Sequence, residues 1–193
     1  MPQEPLVAGV LLFEQVEVLD FAGPFEVFSR ARHQGGPCFR ALTLAPTPEV
    51  MCVDGLVVRP HCTLAEAPPL DILVVSGGPG AREPVDPEPI VAFIREQAPK
   101  VRVLASVCTG AAWLARAGVL NGLSAATHPS FRQQLAEDYP AVSVVPSRLV
   151  DHGRIITAGG IASGVDLALH LLERYYGWEA RRQEALRLDG PWR

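Results

Sequence analysis

The chain has 193 residues, of which 48% are hydrophobic and 20% charged. This composition is typical of one globular domain and excludes collagenous, low-complexity and disordered classes. The net charge of -4 argues against a broad basic surface for nucleic acid or anionic lipid, and no apolar stretch approaches the roughly 18 residues that span a bilayer. We therefore expect a small molecule or a protein as partner, with no nucleic acid and no membrane.

The cysteines and the N-terminus indicate the compartment. Residues 1–5 show no basic run before a hydrophobic segment, so no secretory signal is expected and the cytoplasm is predicted. Four cysteines lack paired C-x-x-C spacing, which disfavours disulfides and a metal site; they are Cys38, Cys52, Cys62 and Cys108. Arg outnumbers Lys sixteen to one, as in G+C-rich bacterial genomes.

Strands and helices alternate along the chain. The predicted strands lie at residues 6–13, 39–44, 71–76, 101–107 and 142–145, with hairpins at 49–59 and 148–158. The predicted helices run from Pro24 to about residue 32, from Asp86 to before Pro99, over 111–117, from Pro129 to 139, and from Ile161 to before Gly177. This alternation predicts one α/β domain over residues 1–193, with a mostly parallel central sheet and helices on both faces.

Cys108 is the most informative residue. A buried strand ends at it and a helix begins on the next residue, the context of a nucleophile elbow. A thiol there faces the carboxyl edge of the sheet, where such folds bind ligands, and the amides at the helix start favour its thiolate. The alternative is a small buried hydrophobic residue, as most free cysteines are.

A glycine-rich turn follows the preceding strand. Gly77 and Gly78 can bring backbone amides close without a Cβ in the way, and the Thr109 amide lies at the helix start. Together these amides could stabilise developing negative charge. The alternative is an ordinary turn.

Asp20 is the preferred acid or base, because it lies after the first strand and before a helix at the same edge of the sheet. In a dry pocket beside a thiolate its carboxyl would favour the protonated form and could donate a proton. The alternative is a helix cap. Glu14, Glu17 and Glu26 compete for the role, and spacing does not exclude them.

Five segments together resemble the ThiJ/PfpI superfamily of class I glutamine amidotransferase-like domains: LDFAGPFEVF, VVSGGPG, SVCTGAAWLARAGVLNG, ATHPSF and AGGIASGVDLAL. The resemblance covers residues 7–177 and is strongest to isocyanide hydratases and to the ligand-binding halves of AraC-type regulators. It implies a flavodoxin-like three-layer sandwich, usually a homodimer. It also implies Cys108 as nucleophile, Asp20 as its carboxyl partner, Gly78 and Thr109 as backbone donors, and Ile161 beside the pocket.

The chain also departs from parts of that superfamily. Protease-like and amidotransferase members resemble one another in a histidine that serves the cysteine, whereas Thr109 follows Cys108 here and no H-x-E motif is present. His128 precedes Pro129 where hydratase-like relatives resemble T-H-W, so it is a candidate substrate contact or a residue of a helix start. Residues 178–193 are too short for a helix-turn-helix pair.

Three functions follow from these expectations. The first is cysteine-dependent hydration of an isocyanide to an N-substituted formamide, a lyase reaction on a small electrophile that needs no cofactor. The second is a glyoxalase-like or deglycase-like activity on reactive carbonyls, from which the sequence leans away because relatives of that kind resemble one another in a Glu at the position of Asp20. The third is a non-catalytic redox or metabolite sensor that uses the same cysteine.

Overall fold

A seven-stranded sheet forms the centre of the protein, which we describe from a computed structural model covering residues 4–192. The strands are β1 (Leu6–Leu11), β2 (Phe39–Ala45), β3 (Cys62–Thr63), β4 (Ile72–Val75), β5 (Val103–Val107), β6 (Leu149–Asp151) and β7 (Ile155–Ala158). Their order across the sheet is β6-β7-β5-β4-β1-β2-β3. All neighbours are parallel except the β6–β7 hairpin at one edge.

Seven α-helices surround this sheet within the described residues: α1 (Val18–Arg30), α2 (Pro79–Arg82), α3 (Glu88–Gln97), α4 (Ala111–Arg116), α5 (Arg132–Asp138), α6 (Ser163–Tyr176) and α7 (Trp178–Leu188). Helices α1, α6 and α7 pack together as one group, and α2, α3 and α4 form another. The strands β1, β4 and β5 are almost entirely buried, as their unbroken apolar sequences predict. The predicted flavodoxin-like α/β sandwich is confirmed.

Three small two-stranded pairs complete the strands. Val50–Met51 pairs with Val57–Val58 as the predicted hairpin, and Arg32–His33 pairs with Gly36–Pro37. Ser124–Ala125 pairs in parallel with Ser143–Val144. The sequence predicted only the second strand of that last pair, because a two-residue strand is too short to show a period.

Helix α1 begins earlier than predicted. It starts at Val18 and contains Pro24 in its interior, although a proline is tolerated best in the first turn. Pro24 lacks the N–H that would bond to the carbonyl of Asp20, four residues earlier. The consequence for the site is that Asp20 lies in the first helical turn and not in the loop before it.

Helix α7 covers most of the segment whose structure the sequence did not predict. It follows Gly177, which has a φ of 84°, and packs against α6 with Ala180, Glu184 and Ala185 buried. Glu184 is paired with Arg187, which also reaches Glu26 of α1 at 3.0 Å. The segment therefore closes one side of the helical layer formed by α1 and α6.

No helix among residues 4–192 is long and apolar enough to cross a membrane.

Candidate active site

Cys108 lies in a sharp bend immediately after β5. Its φ is +56°, a left-handed conformation that non-glycine residues rarely adopt, and a single 3-10 turn, Cys108–Gly110, leads into α4. A Cβ added to Gly110 would lie 2.3 Å from the Val75 carbonyl oxygen, so the bend packs directly against the end of β4. The Thr127 hydroxyl donates a hydrogen bond to the Cys108 carbonyl oxygen at 2.8 Å and holds the bend from the other side.

Asp20 is the carboxyl group that the structure places beside this thiol. It is fully buried, and its Oδ2 accepts a hydrogen bond from the Gly77 amide at 3.0 Å. The Cys108 thiol is its other polar neighbour, although no atom of residues 4–192 makes a hydrogen bond of ordinary geometry to Oδ1. A buried carboxyl with one open oxygen can accept or return a proton next to the sulfur.

Burial raises the pKa of Asp20 to about 7, because the charged form is poorly solvated. The thiol and the Gly77 amide oppose this rise, while the charge of Glu17 adds to it. At neutral pH the carboxyl is therefore poised between its two protonation states, as the prediction of a raised value requires.

The surroundings of the Cys108 thiol act on its pKa in both directions. Burial and the negative charge of Asp20 raise the pKa of Cys108, and the Thr109 amide and the more distant charge of Arg82 lower it by less. The two raising effects favour the protonated thiol, whereas the sequence predicts a thiolate favoured by the amides at the helix start. The physical reason is that Cys108 is only 4% exposed and has a carboxyl group as its nearest charge.

At Gly77 and Gly78 the backbone packs so closely against its neighbours that a side chain would not fit. A Cβ on Gly77 would lie 2.6 Å from both Asp20 Oδ2 and the Thr109 nitrogen, and Gly78 has a φ of +134°. The Gly78 amide donates to the Thr109 hydroxyl at 2.8 Å, and that hydroxyl donates back to the Gly78 carbonyl at 3.0 Å.

Both glycine amides thus donate to protein groups. The sequence predicted instead that they would donate to a substrate. Of the three predicted donors, only the Thr109 amide is directed at the Cys108 sulfur. The two glycines serve to bring Asp20 and Thr109 within hydrogen-bond distance of one backbone turn.

His128 caps the 3-10 turn Pro129–Phe131. Its Nδ1 accepts from the Ser130 amide at 3.3 Å and meets the Ser130 hydroxyl at 2.8 Å, so a neutral ring carries its proton on Nε2. Burial and the charges of Arg82 and Arg132 lower its pKa, which favours that neutral ring. The helix-start role is observed, and the half-buried ring also lies next to the Thr127 that holds Cys108.

Ile161 lies in the turn between β7 and α6, half-buried and packed against the core. Because β7 is the direct neighbour of β5, this turn is at the same sheet edge as Cys108. The three competing glutamates are placed differently. Glu14 accepts from the Met51 amide, Glu26 pairs with Arg187, and Glu17 is the residue before α1.

Two functional residues escaped the sequence analysis. Thr127 supports the Cys108 carbonyl, and Arg82 at the end of α2 places its charge near both Cys108 and His128. Neither has a local signal, since both reach the site across more than 18 residues of sequence. The position of Arg82, four residues after Gly78, was the one available hint.

The remaining cysteines lie elsewhere. Cys38, Cys52 and Cys62 are free thiols, and burial raises the pKa of each. An open cavity of about 560 Å³ is lined by Cys62, His61 and Arg59 at the β3 edge and includes none of the predicted site residues. Within residues 4–192, no three or more His, Cys, Asp or Glu side chains are grouped so as to hold a metal ion.

Comparison with protein families gives a match over residues 7–174 to the DJ-1/PfpI family. The chain belongs to the DJ-1/PfpI family. It is 34% identical over 187 residues to the isonitrile hydratase of Pseudomonas putida, an alignment that covers 95% of this chain and 78% of that enzyme.

It is also 33% identical over 181 residues to the HTH-type transcriptional regulator GbdR of Pseudomonas aeruginosa. That alignment covers 92% of this chain, which spans about half (48%) of the regulator. Among solved structures, a ThiJ/PfpI family protein from Pseudomonas syringae superposes with a TM-score of 0.86 at 24% identity and covers 98% of this chain and 76% of its own. The proteins to which this chain is similar thus include an isonitrile hydratase and a transcriptional regulator.

Proposed function

We propose that this protein hydrates an isocyanide to an N-substituted formamide, with Cys108 as nucleophile and Asp20 as proton carrier. The observation that carries the proposal is the fully buried Asp20 carboxyl beside the Cys108 thiol, whose pKa burial raises to about 7. The 34% identity to an isonitrile hydratase over most of the chain supports the same chemistry. Such a reaction needs a nucleophile and one group that both takes and gives a proton.

In the first step Cys108 Sγ forms a bond to the terminal carbon of the isocyanide. The S–H proton passes to the Asp20 carboxylate and then to the same carbon, so the product is a thioimidate, in which the carbon carries hydrogen, sulfur and a double bond to nitrogen. The resting thiol and the half-ionised carboxyl described above suit this sequence, because the proton is already between the two groups. The Thr109 amide stabilises charge on sulfur.

In the second step water adds to the thioimidate carbon. Asp20 takes a proton from the water and delivers one to the nitrogen, and the resulting tetrahedral species breaks its C–S bond to release the formamide. As the carbonyl forms, the hydroxyl of that species gives its proton to Asp20, and Asp20 passes this proton to the departing sulfur. The sum is isocyanide plus water giving N-substituted formamide, with both residues returned to their starting states.

His128 and Ile161 complete the proposal as walls of the substrate pocket. Both are half-buried at the carboxyl edge of the sheet, one beside Thr127 and the other in the turn after β7. The Nε2–H of a neutral His128 could donate to a polar group of the substrate. Replacing either side chain is expected to change KM more than kcat.

The test is hydration of cyclohexyl isocyanide by the purified full chain, followed by chromatography of the formamide. We expect turnover in the native protein and a loss of about a thousandfold or more in Cys108→Ser and Asp20→Asn. Cys62→Ser, remote from the site, is the matched control and should retain activity. Absence of formamide at high enzyme concentration, with Cys108 shown to be reduced by mass spectrometry, would exclude the function.

A second candidate is a ligand-binding domain that signals to another protein or domain. The observation in its favour is the 33% identity to the transcriptional regulator GbdR over 92% of this chain. A metabolite that raises the unfolding temperature in Cys108→Ser as much as in the native protein, without being converted, would favour this candidate. Turnover of methylglyoxal would favour the carbonyl-directed alternative instead.

We further infer a cytoplasmic homodimer. The four cysteines are free thiols, as expected in a reducing compartment. Large apolar side chains are exposed together near the start of α1 and on the neighbouring hairpin: Leu19, Met51, Leu56 and Val57. A second copy of the chain is the partner we propose for this apolar patch.

A further inference from the structure

Arg82 is a cation without a carboxylate partner at the edge of the site. Within residues 4–192 it makes no ion pair, and its Nε is buried without a hydrogen-bond partner. One terminal nitrogen donates a long bond of 3.3 Å to the Ser130 hydroxyl. A buried guanidinium nitrogen is normally satisfied, so this group has unused capacity for an acceptor.

The guanidinium is held in place although it lacks a counter-ion. Its carbon lies 5.2 Å from the centre of the Phe131 ring, which is a cation–π contact. Arg116 donates to the Ala81 and Arg82 carbonyl oxygens at 2.7 and 2.8 Å and so fixes the end of α2. Arg82 is therefore positioned by its surroundings and is not a free surface side chain.

Arg82 lies at the end of a helix that packs against the turn containing Cys108. Helix α2 follows Gly78 directly and packs against the Cys108–Gly110 turn. Ser130, which Arg82 contacts, belongs to the turn that His128 caps. Arg82 thus connects the end of α2 to the turn that His128 caps.

A second unpaired cation lies in the same region. Arg132 follows the His128-capped turn, and its Nε is also buried without a partner among the described residues. The charges of Arg82 and Arg132 both act on His128. Glu17 is the carboxylate whose charge opposes them there, and it makes no ion pair with either arginine.

We propose that Arg82, assisted by Arg132, binds an anionic group of the substrate, so that the isocyanide turned over here carries a carboxylate. This inference rests on the proposed function for the reacting group, but the anion subsite itself depends only on the arginines. A carboxylate accepts two parallel N–H bonds from the terminal nitrogens of a guanidinium. Such a ligand would supply the counter-ion that Arg82 lacks among the described residues.

The subsite is tested without isocyanide chemistry by alkylating Cys108 with iodoacetate and with the uncharged iodoacetamide. Mass spectrometry of the Cys108 peptide gives the two rates. In Arg82→Gln we expect the iodoacetate rate to fall about tenfold relative to the iodoacetamide rate, the effect of losing a charge-assisted contact. The ratio is the informative quantity, because a changed thiol pKa alters both rates alike.

Two variants control this measurement. Arg82→Lys keeps the charge and should restore most of the iodoacetate rate, whereas Arg30→Gln removes an exposed arginine at the far end of α1 and should leave the ratio unchanged. An Arg82→Gln ratio equal to the native ratio would overturn the proposal. So would a Cys108 that reacts with neither reagent, since no anion could then reach the site.

A second experiment separates this proposal from the proposed function. Native protein and Arg82→Gln are compared on isocyanoacetate and on its uncharged ethyl ester. We expect Arg82→Gln to raise KM for the acid about tenfold more than it raises KM for the ester. Hydration of both compounds with no preference and no effect of the variant rejects the subsite and keeps the function. Hydration of neither, together with the altered alkylation ratio, rejects the function and keeps the subsite.

Discussion

At the scale of single residues, the site depends on one proton placed between Asp20 and Cys108. Burial raises the pKa of both groups, and the charge of Asp20 raises the pKa of the thiol further, whereas the hydrogen bond with the thiol lowers the pKa of Asp20. The pair therefore resists ionisation beyond a single negative charge, and an electrophile finds a protonated sulfur next to an acceptor for that proton. This is an arrangement for moving a proton during bond formation, in contrast to a preformed thiolate.

The same carboxyl makes stability depend on pH. Asp20 has a pKa of about 7 in the folded chain against 3.8 as its ordinary value, so the folded state binds more protons between these values. The free energy of unfolding must fall as pH rises through that window. From pH 5 to pH 8 we expect Asp20 alone to lower it by about 2 kcal/mol, measured by urea denaturation.

Asp20→Asn removes this titration while retaining an acceptor for the Gly77 amide. We expect the variant to show a flatter profile and to exceed the native protein in stability at pH 8. Equal slopes in the two proteins would mean that Asp20 does not retain its proton in the folded chain. The thiol does not interfere, because the raised pKa of Cys108 places its titration above this range.

The sequence predicted that Cys108 and Asp20 lie at the same edge of the sheet, but not how burial affects their protonation. Cys108 and Asp20 have local signals, namely a strand end followed by a helix start. The protonation of the thiol depends on burial and on a carboxyl group 88 positions away in the chain, which no local pattern contains. Arg82 was missed for the same reason, because its contacts with Ser130 and Phe131 are long-range.

At the scale of elements, the turn between β4 and α2 is the tightest part of the site. A Cβ on Gly78 would lie 2.4 Å from the Gln15 carbonyl oxygen, at a φ of +134°. We expect Gly78→Ala to lower the free energy of unfolding by about 3 kcal/mol or more, since backbone strain and overlap add. Thermal and urea unfolding of the variant measure this loss.

Gly118→Ala is the matched control for that variant. Its φ is +80°, but the nearest atom to an added Cβ is 3.7 Å away. Only the left-handed conformation is penalised there, so we expect a loss of about 1 kcal/mol. Similar losses in the two variants would show that the Gly78 turn yields to overlap more easily than its contacts imply.

The contact between α6 and α1 supports the first turns of α1, which carry Asp20. A Cβ on Gly164 would lie 2.9 Å from the Pro24 ring and 3.4 Å from Val107, so Gly164→Ala must push α6 away from α1 and β5. We expect a loss of about 1–3 kcal/mol in unfolding free energy. Gly160→Ala, where an added Cβ meets no atom within 4 Å, should stay within about 0.5 kcal/mol of the native protein.

Element prediction succeeded where the signal was local and failed where packing decides. The hairpin at Asp54-Gly55 and the helix before Pro99 follow from turn residues and apolar spacing. The predicted start of α1 is too late because a proline is typical of the first helical turn, whereas contacts with α6 keep the helix intact through Pro24. Helix α7 has an apolar face too weak to predict alone and is stabilised by α6 and by ion pairs.

At the scale of the whole molecule, the order of the sheet brings the site together. β5, β4 and β1 are adjacent and parallel, so Cys108, Gly77 and the loop before Asp20 follow strand ends that meet at one edge. The sequence predicted the parallel alternation but not which strands are neighbours. That order depends on which apolar faces fit together across the complete core.

The apolar patch predicts the assembly. Hydrogen bonds from Gln15 to Met51 and from Val53 to Val16 hold the hairpin beside the loop that precedes α1. The double variant Met51→Glu, Val57→Glu places charges on this exposed surface and should convert a dimer to a monomer, measured by sedimentation equilibrium. Val85→Glu, exposed elsewhere, should leave the mass unchanged. A native protein that sediments as a monomer would contradict the inference.

The left-handed backbone at Cys108 has a consequence for the melting temperature of variants that lack the thiol. Glycine is the residue that adopts a φ of +56° most readily, so Cys108→Gly should melt at a higher temperature than Cys108→Ala, although both lack the sulfur. The difference between these two melting temperatures measures the conformational cost of the bend, separately from what the buried sulfur adds by packing.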